Sequence, residues 1–289
     1  TRMKIQFSAE DGTLLSGQLL AAEQPKALVL LNPGTATPMR YYLPFAGFLT
    51  SQGFSVFLWN YRGFDESRQG SLAGSAIEFT DVGQHDMPAA IARAKELAGD
   101  LPLYCIGHSA GGQQIGFAHN VNLLEGMLAV AVSTGYTGSM PLGYRLKAHF
   151  FFKLLGPVSS RLVGYVAAKR LGIMEDLPAG LVKEWGHWCS KPDFFFDPLF
   201  ARDKPHLSGY RTLEFPVHVL TADDDEISTE FNTRSLWKHI RTQTPVEFVR
   251  YRAAEAPGGH IGHFGYFRRS HPQIWQDMLE RLQGFMTDR

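Results

Sequence analysis

The chain of 289 residues predicts an α/β fold, a mostly parallel sheet covered by helices on both faces. Three observations carry that expectation. Continuous apolar runs alternate with helix-period stretches along most of the chain. Gly107-His108-Ser109-Ala110-Gly111 lies between an apolar run, Leu103-Tyr104-Cys105-Ile106, and a stretch of helical character, the pattern of a strand that turns sharply into a helix. Carboxylates and then a glycine-rich histidine pair follow later strands, giving the order serine, acid, histidine.

Taken in order, residues 4–7 and 14–20 flank Asp11-Gly12, a turn pair between short alternating runs, and predict an antiparallel hairpin at a sheet edge. Residues 27–31 and 55–59 are continuous, mainly apolar runs, as expected for strands covered on both faces, and a helical pattern at 43–51 separates them. A second helix is predicted over 84–98. After the elbow come a helix from about Ala110, a strand over 127–133, strands at 217–221 and 246–251, and a closing helix over 273–285. Between about 135 and 215 the alternation gives way to aromatics, prolines and helical fragments. This predicts a helical lid inserted between two parts of one core, 1–134 and 216–289, and hung over the carboxyl ends of the strands, where parallel sheets place their sites.

Composition narrows the function classes. With 44% hydrophobic residues the chain can bury a large core, and 28 Lys plus Arg against 28 Asp plus Glu leaves no basic field for a phosphate backbone, so nucleic acid is not an expected partner. Two cysteines, Cys105 and Cys189, give no disulfide framework. The first residues carry no apolar signal-like core, and the reading is a cytoplasmic protein. The longest uncharged segment, 126–144, is broken by Gly, Ser, Thr and Pro, so stable membrane insertion is not expected. Residues 150–170 mix apolar side chains with Lys153, Arg161, Lys169 and Arg170 as an interfacial helix would, but Gly156-Pro157 predicts a break and ordinary packing.

The elbow makes Ser109 the candidate nucleophile. Its small neighbours give room for a strained turn that lifts the hydroxyl clear of the sheet and aims the N–H of Ala110 at the oxygen that becomes charged. A plain strand-to-helix turn uses similar residues. The loop Asn32-Pro33-Gly34-Thr35-Ala36 offers a second donor, the N–H of Thr35 with Ala36 as the other choice. Asp223-Asp224-Asp225-Glu226 closes the strand at 217–221, and Asp225 is preferred as the acid because a hydrophobic step, Ile227, follows it. In Gly258-Gly259-His260-Ile261-Gly262-His263, either imidazole suits a general base, with His263 preferred. Their spacing also fits a metal pair, which the glycines disfavour, so no metal is expected. His108 reads as structural, and Tyr61-Arg62-Gly63 as a turn near the site.

These residues together resemble the α/β-hydrolase superfamily and, more narrowly, a bacterial group of predicted serine α/β hydrolases within it. The resemblance rests on Asn32-Pro33-Gly34-Thr35, Tyr61-Arg62-Gly63, the elbow at Ser109, Leu177-Pro178 with Trp185 and Trp188-Cys189, and His263-Phe264-Gly265. It implies an eight-stranded sheet and a triad of Ser109, Asp225 and His263. Asn32-Pro33 departs from the histidine-glycine frequent in the oxyanion loop of that superfamily.

The expected chemistry is cofactor-free acyl transfer to water from a small or medium, apolar carboxylic ester or thioester. Among the insertion's aromatics, Phe151, Trp185 and Trp188 are the candidate substrate contacts. An acyltransferase or peptidase of the same fold, or a binding module without chemistry, are the alternatives.

Overall fold

A computed structural model describes residues 1–201 and 205–288. Its main sheet has eight strands. They are β1 (Arg2–Ser8), β2 (Leu14–Leu20), β3 (Ala27–Asn32), β4 (Phe54–Trp59), β5 (Leu103–His108), β6 (Met127–Val130), β9 (Val217–Ala222) and β10 (Glu247–Tyr251), while β7 (Tyr165–Val166) and β8 (Leu177–Pro178) form a separate antiparallel pair. The order is β1-β2-β4-β3-β5-β6-β9-β10. The hairpin β1–β2 joins β4 antiparallel, and every other neighbour pair is parallel.

The period of two along each strand divides the core. In β3, Leu28 and Leu30 pack into one apolar cluster while Val29 and Leu31 enter the other. Helices Leu43–Ser51 and Pro272–Thr287 cover the second face, and Met87–Ala98 and Glu230–Trp237 the first. All six residues of β3, β4 and β5 are buried, which is why these strands read as unbroken apolar runs.

Three element boundaries differ from the expectation. The helix predicted from 84 begins as a short turn at Phe79–Asp81, capped reciprocally by Glu78 and Asp81, and passes through a π turn, Val82–Asp86, before becoming regular at Met87. The strand predicted to 133 ends at Val130, because Ala131 adopts φ 53° and leaves the sheet. The break predicted at Gly156-Pro157 does not occur. Leu142–Phe150 runs through a π turn, Phe151–Leu155, into Gly156–Val163 with right-handed helical backbone at Phe150, Phe151, Leu155 and Gly156, and ends where Gly164 takes φ 84°. The wide turn spreads the carbonyls that the Pro157 ring would otherwise strike.

Residues 202–204, which fall within the expected 135–215 insertion, lie outside the described residues. Among the described residues no helix is long and apolar enough to cross a membrane.

Candidate active site

Ser109 occupies the bend between β5 and the short helix Ala110–Gln113 with φ 53° and ψ −118°, a conformation that costs about 1–3 kcal/mol for a residue with a side chain. The surroundings hold it there. A Cβ on Gly111 would lie 2.3 Å from the carbonyl oxygen of Asn32, so the elbow packs against the end of β3 only because this residue is glycine, and one on Gly107 would lie 2.7 Å from the Cα of Gly112, so the elbow closes on its own strand only because that residue is glycine too. Asn32 completes the join. Its Nδ2 donates to the Gly111 carbonyl at 3.1 Å, and its Oδ1 accepts from the Trp59 indole at 2.7 Å. The residue that departs from the histidine-glycine pattern is therefore a buried brace between strand and elbow.

Ser109, Asp225 and His263 come together from three distant segments. His263 Nε2 lies 3.0 Å from Ser109 Oγ, and His263 Nδ1 lies 3.0 and 2.9 Å from the two oxygens of Asp225. Asp225 also accepts the backbone N–H groups of Ile227 and Ser228, each at 2.9 Å, and the Tyr266 hydroxyl at 3.0 Å. Burial works to raise the pKa of this carboxyl, but the adjacent His263 imidazole and the Ser228 and Ile227 N–H groups outweigh it and hold it below the ordinary value. A carboxylate that accepts from Nδ1–H leaves Nε2 free to take a proton from serine.

The neighbouring carboxylates have other partners. Asp223 accepts the N–H of Ala253, and Asp224 accepts those of Ile261 and Gly262, all at 2.9 Å. His260 pairs with Asp224 at 2.9 Å, with two thirds of its side chain exposed. Of the two imidazoles, the structure brings His263 to hydrogen-bond distance of the serine. Among the described residues no group of three or more His, Cys, Asp or Glu side chains is arranged to hold a metal ion.

The oxyanion candidates sit on the loop after β3 and at the first residue of the elbow helix. Thr35 and Ala110 both line the cavity beside Ser109, and no backbone carbonyl of a described residue accepts the N–H of either. Ala36 takes φ 56°, which bends the chain at this point. Behind the loop runs a buried relay that sequence reading missed. Gly34 N–H donates to the Tyr42 oxygen at 2.7 Å, Tyr42 O–H donates to His108 Nδ1 at 2.7 Å, and His108 Nε2–H donates to the His263 carbonyl at 2.9 Å. The carbonyl can only accept, which fixes the His108 tautomer. One wholly buried imidazole thus ties the Thr35 loop to the His263 loop.

Burial, reinforced by the nearby His263, lowers the His108 pKa to about 3. The unfolded chain, with an ordinary histidine near 6.5, then binds one more proton than the folded chain between these values. The His108 contribution is accordingly complete above pH ~6.5 and is lost as pH falls toward ~3, with a limiting slope of about 1.4 kcal/mol per pH unit. Urea titrations of wild type and His108→Asn between pH 7 and 5, where most carboxylates have yet to protonate, should give stability that falls faster in the wild type. Equal slopes would contradict a histidine held neutral.

The site opens into a cavity of about 870 Å³. Phe151 and Trp185 line it, joined by Phe150, Phe152, Met140, Met174 and Tyr144. Trp188 does not. It is buried in the core, stacked on Phe79 at 5.4 Å and packed against Phe194 and Phe195 at 5.5 and 5.4 Å. On the helix Ala179–Cys189, Trp185 and Trp188 are a turn apart, and only the first is turned toward the opening.

The sheet order, the elbow on β5 and the serine facing a strand-end cavity define an α/β hydrolase. The sequence profile of the family described as serine aminopeptidase, S33, matches residues 23–169, just over half of the chain, and the chain belongs to that family. The matched stretch contains Ser109 and ends before Asp225 and His263. A curated relative, the uncharacterized protein YfhR of Escherichia coli O157:H7, is 25% identical over 137 residues, and the match spans 46% of this chain and 46%, about half, of the relative. Among solved structures, the α/β hydrolase GrgF from Penicillium sp. sh18 superposes with a TM-score of 0.64 at 18% identity, covering 100% of this chain and 98% of its own. A soluble variant of monoglyceride lipase from Saccharomyces cerevisiae, in complex with a substrate analog, gives 0.63 at 15% identity over 96% and 94%. At these identities the likeness is one of fold.

Proposed function

We propose that the chain is a serine hydrolase that cleaves a small or medium, apolar carboxylic ester or thioester through an acyl-enzyme on Ser109. The observation that carries this is the 3.0 Å approach of Ser109 Oγ to His263 Nε2 at the floor of a large, mainly apolar cavity. Ser109 Oγ bonds to the carbonyl carbon as its proton passes to His263, whose cation Asp225 stabilises. The oxyanion rests on the N–H groups of Thr35 and Ala110, each worth about 3–4 kcal/mol in the transition state. The tetrahedral adduct then expels alcohol or thiol, which takes the proton from His263, and water repeats the sequence to release the acid. No cofactor enters these steps.

The segment 135–215 acts in this reading as the lid, between core parts 1–134 and 216–289, since Leu146, Lys147 and Phe150 of the helix Leu142–Phe150, with Phe151 and Phe152 after it, supply one wall of the cavity. The family description raises a peptidase as the competing activity. An aminopeptidase must hold the free ammonium of its substrate, and no Asp or Glu lines this cavity among the described residues. Its charged lining is Lys147 and Arg268. That balance favours an ester or thioester. Both cysteines are buried and free, which suits a cytoplasmic setting.

A fluorophosphonate probe should label the wild type and leave Ser109→Ala unlabelled, and a panel of esters and thioesters of graded chain length then reads the acyl preference. Folded wild type that resists the probe would refute the nucleophile and favour a module that only binds.

A further inference from the structure

The unbroken helix from Leu142 to Val163 carries a row of exposed apolar side chains with no protein partner to bury them. Leu142, Leu146, Phe150, Leu154, Val158 and Leu162 recur every fourth residue, and each is between 46% and 78% exposed. A row spaced by four drifts about 40° per step around a regular α-helix. The π turn at Phe151–Leu155 winds less per residue and turns part of that drift back, which keeps the row on one side for roughly 30 Å. Exposed apolar patches of this extent mark surfaces that meet something apolar.

Charge indicates what that is. The chain is neutral overall, yet from Gly126 to Met174 it contains no Asp or Glu and six Lys or Arg: Arg145, Lys147, Lys153, Arg161, Lys169 and Arg170. Lys169 pairs with Glu175 at 3.4 Å, whereas Lys147, Lys153, Arg161 and Arg170 form no ion pair among the described residues. A long helix with an apolar row and unpaired cations beside it has the composition of one that lies in the headgroup region of a bilayer. A water-filled protein interface would instead call for mixed charge around the row.

The row is also continuous with the cavity. Leu146, Phe150 and Ile173 are each more than 40% exposed, and each lines the cavity that contains Ser109. An apolar chain entering between them passes from outer face to cavity without crossing open water.

We propose that the helix Leu142 to Val163 docks the protein on an anionic phospholipid bilayer, apolar row inward and cations at the phosphates, so that the cavity mouth faces the lipid. Docking is peripheral. That the lipid layer supplies the substrate rests on the hydrolase reading, but docking itself is measured without turnover and stands or falls separately.

The test is flotation of the full chain with vesicles of phosphatidylcholine alone, or of phosphatidylcholine with about one third phosphatidylglycerol. Wild type should float with the anionic vesicles, be released by added salt, and stay down with phosphatidylcholine alone. The double variant Leu154→Glu/Leu162→Glu, neither of which lines the cavity, should reduce flotation about tenfold or more while keeping wild-type melting and wild-type turnover of a water-soluble short ester. Lys153→Glu/Arg161→Glu should reduce it by a similar factor. Wild type that ignores anionic vesicles, or variants that float equally well, would overturn the proposal. So would a wild-type dimer that Leu154→Glu/Leu162→Glu converts to monomer with no vesicle binding by either, which would assign the row to a second copy of the chain.

Discussion

His263→Ala is expected to lower kcat/KM on a short aryl ester by about a millionfold, the loss seen when the base of such a unit is removed. His260→Ala should stay within a few-fold of wild type. The contrast follows from position, since His263 Nε2 is 3.0 Å from Ser109 Oγ while His260 pairs with Asp224 and is mostly in solvent. The loss at His263 should not come from unfolding. Asp225 keeps the Ile227 and Ser228 N–H groups and the Tyr266 hydroxyl when the imidazole is gone, so no naked buried carboxylate is created. Melting curves should move little as turnover collapses. If His260→Ala abolishes turnover and His263→Ala retains it, the base has been assigned to the wrong histidine while the fold stands unaffected.

What the sequence disclosed and what it hid divide along a physical line. Strands buried on both faces are unbroken apolar runs, so β3, β4 and β5 were legible to within a residue or two. The elbow was legible because its backbone conformation demands small residues at fixed offsets from Ser109. Pairings between segments far apart leave no such periodic trace. Tyr42 and Tyr266 look like ordinary core aromatics until Tyr42 is seen bonded to His108 and Tyr266 to Asp225, partners 66 and 41 positions away. Trp188 failed for a related reason, because an aromatic on a partly buried helix faces core or cavity according to the neighbours it meets. Pro157 misled most directly. A local rule predicted a broken helix, and a π turn immediately before it satisfied the rule without the break.

The relay through His108 gives that residue more than a packing role. The proposed acyl transfer needs its oxyanion donors and base fixed relative to one another, and of these Thr35 and His263 lie on loops that follow β3 and β10. His108, on β5 between them, bonds to both sides through Tyr42 and the His263 carbonyl. A charged imidazole there could no longer accept from Tyr42. The low pKa and the geometry are therefore consequences of one buried, neutral strut.

Arg62→Met should destabilise the fold by about 3–5 kcal/mol, because it strips the partner from a carboxylate that solvent cannot reach. Asp86 has a fully buried side chain, and Arg62 donates to its Oδ1 from Nε at 2.9 Å and from Nη2 at 2.7 Å, while the Arg62 backbone N–H reaches Oδ2 at 3.0 Å. Burial pushes the Asp86 carboxyl up to about 6 even with the guanidinium beside it, so its removal drives the pKa higher still. A folded-state pKa raised above the unfolded one contributes stability at low pH that disappears as pH rises, so the deficit of Arg62→Met should be larger at pH 8 than at pH 5. Asp11, the other partner, is one third exposed and bonds Nη1 at 2.8 Å and Nη2 at 2.9 Å, and Asp11→Asn should cost only about 1 kcal/mol or less. Arg62→Met combined with Asp86→Leu should recover much of the loss, since an apolar pair of similar volume often replaces a buried ion pair without penalty. Denaturant midpoints for the two single variants and the double variant at both pH values measure each of these quantities. A loss for Arg62→Met that is small and independent of pH would mean that water reaches Asp86, and that the turn after β4 does not depend on this ion pair.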